Sequence, residues 1–311
     1  MNPLQLFDQW PEPRGGFGVL GLTESGSVDV VATGGDIDAV CELASVTKLL
    51  VTMAVLVAAE QGDLLLDDPA GPPGATIRHL LSHSSGLAPD QAAVLAPPGT
   101  RRIYSNSGFE ILGQCLESSI GQPWQQIVSE SVTGPLKMTS TSAPEGSSSA
   151  SGERGTIRDL VLLAGELLEL QTRPQPSHQP IPESSHQPIP EPSLISAGTL
   201  AQATAVIFPG LPGVVPGVGR YEDCVWGLGF ELKGAKKPHW TATTGSARTF
   251  GHFGRSGSFL WVDPDEGLAC VAGGGLPFGP WALEAWPAFS DAVLAEWGRN
   301  HVFRESPSEG S

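Results

Sequence analysis

One uninterrupted apolar segment, Leu49 to Ala59, constrains the fold more than any other feature of the chain. It carries no charged residue, and Gly62 follows it, so the pattern predicts a helix over 45–61 that is buried on all sides. The segment is too short to span a bilayer. The rest of the chain must therefore cover this helix, and 311 residues are enough to form a core of that size.

A lysine stands at the head of this apolar helix. Lys48 is one of five lysines, and Ser45 precedes it by three residues, which makes the two side chains neighbours on a helix. Burial disfavours the ammonium form, so the amine becomes a proton acceptor of the kind that a serine nucleophile needs. An isolated S-x-x-K pair is equally compatible with a capping serine and a lysine whose head reaches solvent.

Two further motifs carry chemically useful side chains. Tyr104, one of two tyrosines, lies two residues before Asn106 in "YSNSGFEILG". A phenol beside a cation is expected to ionise more easily and to act as a base, and Asn106 offers a donor and an acceptor to an amide or ester. In "GHFGRSGSFLWVDP", His252 and Gly254 precede a predicted strand, and the glycine permits close approach of a ligand. Each motif alone also fits a packing tyrosine, a turn asparagine or a solvated histidine.

Charge and composition exclude several classes of partner. The formal net charge is −16 and no Lys/Arg-rich run occurs, which argues against nucleic acid or an anionic membrane as the main partner. The N-terminal residues have neither a basic start nor an apolar stretch, so no secretion signal is expected and a cytoplasmic location is predicted. The cysteines at 41, 115, 224 and 270 form no CxxC pattern and are interpreted as reduced thiols. His79 and His83 lack a third ligand, so no metal or other cofactor is expected.

The residue pattern predicts strands over 17–33, 225–232, 258–267 and 268–274, and further helices over 107–120, 123–132 and 156–170, the last with Thr156 as its N-cap candidate. The order of these elements indicates an α+β protein. An antiparallel sheet flanked by helices is expected to form from both chain ends, with an inserted mostly helical domain. The predicted boundaries are 1–66 and 152–311 for the discontinuous sheet domain and 67–151 for the helical domain. Residues 174–192 include the tandem copies "SHQPIPES" and "SHQPIPEP" and are predicted to form an exposed, disordered, proline-rich insertion.

The motifs "LASVTK", "YSN" and "HFG", in this order and at these separations, resemble the serine β-lactamase/penicillin-recognising superfamily. The closest resemblance is to its class C β-lactamase-like branch, which includes family VIII carboxylesterases, DD-peptidases and D-aminopeptidases. The connecting segments "TIRHLLSHSSGL", "PPGTRRIYSN" and "GPLKMTST" resemble the same family. The resemblance covers about residues 17–285 apart from the repeat, and it implies a β-lactamase-like fold.

The resemblance also assigns roles. It implies that Ser45 is the acylated nucleophile, that Lys48 and Tyr104 share proton transfer, and that Asn106 orients the substrate. The backbone N–H groups of Ser45 and of the residue after Gly254, which is Arg255, would form the oxyanion hole.

His252 is a departure from the family pattern. It stands where many relatives have a lysine, and a neutral imidazole holds a substrate carboxylate less well than an ammonium does. This departure argues against β-lactamase activity more than against hydrolysis in general.

The sequence thus predicts a cytoplasmic serine hydrolase that acts on a small ester or amide through an acyl-enzyme intermediate, with an esterase favoured over a peptidase. The alternatives are a D-amino-acid-specific peptidase or weak β-lactamase, and a non-catalytic binding protein with the same fold. The expected partner is the small-molecule substrate, and the sequence leaves the oligomeric state open.

Overall fold

The structure, a computed structural model, describes residues 1–11, 15–23, 26–173, 193–273 and 275–299. The strands in these ranges are β1 (Gly16–Leu22), β2 (Val28–Gly35), β3 (Cys41–Glu42), β4 (Arg102–Ile103), β5 (Arg154–Gly155), β6 (Gly213–Val215), β7 (Gly219–Tyr221), β8 (Glu231–Leu232), β9 (Phe250–Phe253), β10 (Phe259–Asp263) and β11 (Leu268–Gly273). The α-helices are α1 (Pro3–Phe7), α2 (Thr47–Gln61), α3 (Ile77–Leu81), α4 (Asn106–Ile120), α5 (Trp124–Val128), α6 (Ile157–Leu170), α7 (Ala197–Ala203) and α8 (Pro280–Trp297).

The main sheet joins the two ends of the chain. Its six strands run in the order β2-β1-β11-β10-β9-β8, and every neighbouring pair is antiparallel. Alternate side chains of these strands enter two separate cores, as the pleat of a strand requires. On β10, Trp261 faces the aromatic core under α1 and α8, whereas Leu260 faces the aliphatic core that contains α2 and α6. The predicted α+β class and antiparallel sheet are confirmed.

The helix predicted over 45–61 is α2, and its environment explains its composition. All residues from Thr47 to Ala58 are buried. Gly62 ends the helix with φ 81°, a left-handed conformation that glycine adopts without steric cost. By length and composition the segment Ala44–Gln61 could cross a membrane, and 72% of it is buried inside the protein.

The helical part of the chain covers one side of α2. Helices α4 and α5 both pack against it, and α3 packs against α4. At α6 the predicted N-cap is confirmed, because the Thr156 hydroxyl accepts the Asp159 backbone N–H at 3.1 Å. The division into a sheet domain and a helical domain stays a prediction, and the repeat at 174–192 lies outside the described residues.

Two predicted elements differ from the structure. Of a strand predicted over 225–232, only β8 forms. Gly229 has φ 75°, and the Gly227 backbone N–H donates to the Phe230 carbonyl oxygen, so the chain makes a turn before β8. A Cβ on Gly227 would lie 2.0 Å from the Ala203 carbonyl oxygen, so the chain passes too close to α7 for a regular strand. The helix predicted over 123–132 begins as α5 and continues as a π-helical turn, Ser129–Thr133.

A small three-stranded sheet, β4-β6-β7, forms one wall of the main cavity. Its β4 strand buries Arg102, whose guanidinium donates only to backbone carbonyl oxygens. Nη1 donates to Ser82 at 2.7 Å, Nε to Cys224 at 2.8 Å, and Nη2 to Phe208 at 2.9 Å and to Ile207. Burial lowers the pKa of Arg102 to about 10, so the group stays charged at neutral pH.

Candidate active site

Ser45 lies two residues before the first residue of α2, close to the start of the helix predicted over 45–61. It occupies a 3-10 turn, Ala44–Val46, that runs directly into the helix. Ala44, the residue before it, has φ 45°, a left-handed conformation that is uncommon for a residue with a side chain. Such local strain is concentrated at functional sites, and here it turns the chain sharply at the serine.

Lys48 brings the head of α2 into contact with two other parts of the chain. Its Nζ atom lies 3.3 Å from the Ser45 Oγ, 2.8 Å from the Asn106 Oδ1 and 2.8 Å from the Ala150 carbonyl oxygen. Oδ1 and the carbonyl oxygen can only accept, whereas the serine hydroxyl can also donate. A neutral amine keeps two N–H bonds for the two acceptors and turns its lone pair to Ser45.

The electrostatic surroundings of Lys48 favour this neutral form. The side chain is fully buried, and burial lowers its pKa to about 7; the negative charges of Glu110 and Asp90 act in the opposite direction. No carboxylate contacts the amine among the described residues. Near neutral pH a large fraction of Lys48 can therefore accept a proton.

Tyr104 lies beside the serine and the lysine. Its ring centroid is 4.9 Å from the Lys48 Nζ, and its hydroxyl forms a hydrogen bond with the Ser45 side chain. Burial raises the pKa of Tyr104 far above its usual value, and the bond to Ser45 opposes this only in part. The expectation of an easily ionised phenol is wrong, because burial outweighs any attraction by the cation. Tyr104 is thus a proton donor in the resting site.

Asn106 is held in place at the first turn of α4. Its Oδ1 accepts from Lys48, and its Nδ2 donates to the Asp90 carboxylate at 2.7 Å. These bonds fix which end of the amide faces the lysine. Asp90 was not predicted, since an aspartate in a Pro-rich loop carries no signal for this contact.

His252 belongs to β9 and is buried, not part of a solvated turn. Its Nδ1 lies 2.7 Å from the Phe253 carbonyl oxygen, which can only accept, so Nδ1 carries the proton. Nε2 is buried and has no hydrogen-bond partner among the described residues. Burial lowers the pKa of His252 to about 4. The expectation of a neutral imidazole agrees with this environment, and the residue lines the cavity.

The turn after β9 approaches the serine closely. A Cβ on Gly254 would lie 2.4 Å from the Leu43 carbonyl oxygen, so only glycine permits this approach. The Ser258 hydroxyl donates to the same oxygen at 3.0 Å and ties the two segments together. The backbone N–H groups of Ser45 and Arg255 have no hydrogen-bond acceptor within the described ranges. Both are free for the oxyanion expected from the sequence.

These residues line one cavity of about 660 Å³. The predicted residues Ser45, Tyr104, Asn106, His252 and Arg255 are all on its surface. The remaining walls are mostly apolar and include Leu95, Ile103, Val214, Trp226 and Phe278. The cavity is therefore suited to an apolar small molecule whose reactive group meets a few fixed polar atoms.

The two histidines considered as a metal pair have other contacts. His79 stacks on Phe208 with ring centroids 4.4 Å apart and bonds to Thr76. His83 Nδ1 accepts the Ser105 backbone N–H at 3.2 Å, and its ring packs on Tyr104. In the part of the chain that the structure describes, no group of three or more His, Cys, Asp or Glu could hold a metal ion.

Comparison with known sequences adds independent findings. A sequence model of the family described as Beta-lactamase matches residues 16–272. The D-alanyl-D-alanine-carboxypeptidase/endopeptidase AmpH of Escherichia coli is 29% identical over an alignment of 142 residues, and the match covers 34% of this chain. The chain covers 37% of AmpH's own length.

Several solved structures share the fold. A β-lactamase from Mycobacterium bovis is 45% identical, with a TM-score of 0.84 over 95% of this chain and 99% of that one. A mutant of simvastatin synthase from Aspergillus terreus is 16% identical, with a TM-score of 0.68 over 95% of each chain. The octameric penicillin-binding protein homologue from Pyrococcus abyssi is 17% identical, with a TM-score of 0.64 over 91% of this chain and 73% of that one. The last two similarities show the fold alone.

Proposed function

Because the chain belongs to the β-lactamase family of serine hydrolases, we propose that it hydrolyses a small ester with an apolar acyl group through a Ser45 acyl-enzyme. The observation that carries this proposal is the contact set of Lys48. Two of its three neighbours can only accept, so the neutral amine directs its lone pair to the Ser45 hydroxyl at 3.3 Å.

The proposed reaction begins with proton transfer from Ser45 Oγ to Lys48 as Oγ attacks the substrate carbonyl carbon. The backbone N–H groups of Ser45 and Arg255 then stabilise the oxyanion of the tetrahedral intermediate. The proton returns through the Tyr104 hydroxyl to the leaving oxygen, the acyl-enzyme forms, and water releases the acid by the reverse sequence.

Two features of the cavity support an ester. Its walls are mostly apolar, which suits an uncharged acyl chain. The neutral His252 imidazole supplies no positive charge at the position where many relatives have a lysine, so nothing there attracts a substrate carboxylate. An ester also has a better leaving group than an amide.

A second candidate is a D-amino-acid-specific peptidase, as the name of the relative AmpH suggests. Arg101 and Arg255 line the cavity, and neither forms an ion pair within the described residues. Arg101 directly precedes β4, Ile103 lies within it, and both residues line the cavity. In a chain of net charge −16, two unpaired arginines at one cavity would hold a free peptide carboxylate.

The proposal is tested with p-nitrophenyl esters from acetate to decanoate, a D-Ala-D-Ala peptide and a chromogenic cephalosporin. We expect kcat/KM to be highest for an ester of medium chain length. A fluorophosphonate should label the wild type once, and Ser45→Ala should abolish the label and reduce turnover by on the order of a thousandfold or more.

The matched control is Ser131→Ala, which removes a serine whose hydroxyl bonds only to the Ile127 carbonyl. It should keep wild-type labelling and turnover. Undiminished labelling of Ser45→Ala would refute the assignment of the nucleophile. A preference for the peptide over every ester would favour the second candidate, and the absence of turnover and labelling in the wild type would favour a binding protein.

A further inference from the structure

Glu110 lies outside the cavity, yet two routes connect it to Lys48. It follows Asn106 by four residues on α4, so the two side chains lie on the same face of the helix. Asn106 binds the Lys48 amine directly through Oδ1. The Glu110 carboxylate instead accepts hydrogen bonds from the hydroxyls of Ser148 and, at 3.2 Å, of Ser149.

These two serines immediately precede the other acceptor of the lysine. The Ala150 carbonyl oxygen lies 2.8 Å from Lys48 Nζ, and the Ala150 backbone N–H donates to the Ser148 Oγ at 3.1 Å. The Ser148 hydroxyl thus links the Ala150 peptide group to the Glu110 carboxylate. The single Ser149 hydroxyl proton is shared between the Phe109 carbonyl oxygen at 3.0 Å and the Glu110 carboxylate, so both serines fasten the turn to α4.

The turn packs closely against α4. A Cβ on Gly113, one turn after Glu110, would lie 2.6 Å from the Ser149 Oγ. The serine hydroxyls therefore lie flat against α4, with the Glu110 carboxylate as their acceptor. A rotation of the turn that broke these bonds would also move the Ala150 carbonyl away from Lys48.

Glu110 also contributes its charge. The titratable groups that act on Lys48 or lie beside it are Glu110, Asp90, Tyr104, His83 and His252. The two histidines are buried and their pKa values are lowered, so they are neutral near pH 7. After burial, the charge of Glu110 has the largest influence on the pKa of Lys48, and it raises that pKa.

We propose that Glu110 is a positioning residue for the general base: it orients the Ala150 carbonyl through Ser148 and Ser149, and its charge stabilises the ammonium that Lys48 becomes during acylation. This inference rests on the proposed function, because it assigns Glu110 a task in the same proton transfer. Glu110 contacts neither the serine nor the substrate cavity.

Charge and geometry are separated by two substitutions. Glu110→Gln keeps the length and one acceptor oxygen but removes the charge. We expect the acid limb of the kcat/KM profile to move down by at least about 0.5 pH unit, since Lys48 loses a stabilising anion. Glu110→Asp keeps the charge but shortens the side chain, so kcat should fall about threefold to tenfold with the limb in place.

Glu117→Gln is the matched control. It makes the same charge change two turns further along α4, where the carboxylate accepts the Trp124 backbone N–H at 3.1 Å. Its acid limb should coincide with that of the wild type. A wild-type profile for Glu110→Gln, or an equal shift for Glu117→Gln, would overturn the proposal, because the effect would then be absent or merely one of net charge.

A readout without substrate separates this inference from the proposed function. Lysines labelled with ¹³C at Cε are titrated by NMR in the free enzyme, and Lys48→Met identifies the Lys48 signal among five. The Lys48 midpoint should fall in Glu110→Gln and stay in Glu117→Gln, even if Ser45→Ala shows that the reaction is not as proposed. An unmoved midpoint refutes the role of Glu110.

If Glu110→Gln does not fold, the Ser148→Ala/Ser149→Ala variant should still lower kcat severalfold with KM unchanged. An unchanged kcat in that variant refutes the positioning.

Discussion

Lys48 and Lys236 are both buried, but their neighbours differ in charge. The three polar atoms around the Lys48 amine belong to a hydroxyl, an amide and a backbone carbonyl. The Lys236 amine lies 2.7 Å from the Glu231 carboxylate and 3.2 Å from the Val225 carbonyl oxygen. One site is built from neutral acceptors, and the other contains a buried ion pair.

The consequence appears in the ionisation of each site. Burial lowers the pKa of Lys48 to about 7 because no carboxylate touches the amine. Burial alone would raise the pKa of Glu231, but Lys236 and His239 outweigh it and hold that pKa well below its usual range. Whether a buried amine is chemically reactive or structural thus depends on a carboxylate in contact more than on burial itself.

The largest stability effect is expected at the ion pair. Lys236→Met keeps the volume of the side chain but removes the ion-pair partner of the buried Glu231 carboxylate, which retains its bonds to His239 and Trp240. The free energy of unfolding should fall by about 3–5 kcal/mol. Denaturant titration measures this loss, and adding Glu231→Gln should recover most of it. A loss of under about 1 kcal/mol for the single variant would mean that the pair is not essential.

The same substitution at Lys48 should reduce stability less, and activity more, than Lys236→Met does. Lys48→Met leaves Asn106 and Ala150 without a donor but leaves no contacting charge unpaired, so it should cost under about 2 kcal/mol. Turnover of an ester should fall by on the order of a hundredfold or more, because the proton acceptor is gone. A larger loss in the free energy of unfolding for Lys48→Met than for Lys236→Met would contradict this difference between the two sites.

Tyr104→Phe tests which group accepts the proton. The phenol is protonated in the resting site, so its loss should reduce kcat by about a hundredfold through proton delivery alone. The acid limb of kcat/KM should remain near pH 7, where Lys48 titrates. A limb displaced by more than about one pH unit would assign the titration to Tyr104 and not to the lysine.

The smallest expected effect is the pH dependence of stability. Lys48 titrates at about 7 in the folded protein and at 10.5 as an unperturbed lysine, so between these values the unfolded chain binds more protons. Stability must then rise with pH across this window, and the gain from pH 7 to 9 is about 2 kcal/mol. The difference in unfolding free energy between wild type and Lys48→Met isolates it. A difference that is flat in pH would mean that Lys48 is charged when buried.

The sequence predicted the parts of the site that are carried by side-chain motifs. The apolar run before Gly62 predicted α2, and the order of the three motifs brought Ser45, Lys48, Tyr104 and Asn106 together. The acceptor at Ala150 could not be predicted, since a backbone carbonyl leaves no trace in residue type. The spacing of Glu110 four residues after Asn106 is visible in the sequence, but the serines that it binds are 38 and 39 residues away.

The two errors about local structure and ionisation have a common cause. The strand expected over 225–232 is interrupted because Gly227 must pass close to α7, which is a contact distant in sequence. The pKa of Tyr104 was expected to fall beside a cation, but the surrounding protein removes water from the phenol and raises it. Both outcomes depend on neighbours that only the folded chain supplies.

Arg102 has a consequence for how the cavity can change. Its guanidinium ties three stretches that are 20, 105–106 and 122 residues away in the chain to a single strand. The wall therefore has few degrees of freedom of its own, since displacing one stretch strains the other two through the same planar group. Lysine could not replace it, because a single ammonium nitrogen lacks the planar fork whose separate nitrogens reach these carbonyls. Substitutions at exposed wall residues such as Arg101 and Val214 are therefore expected to alter substrate preference without displacing this frame.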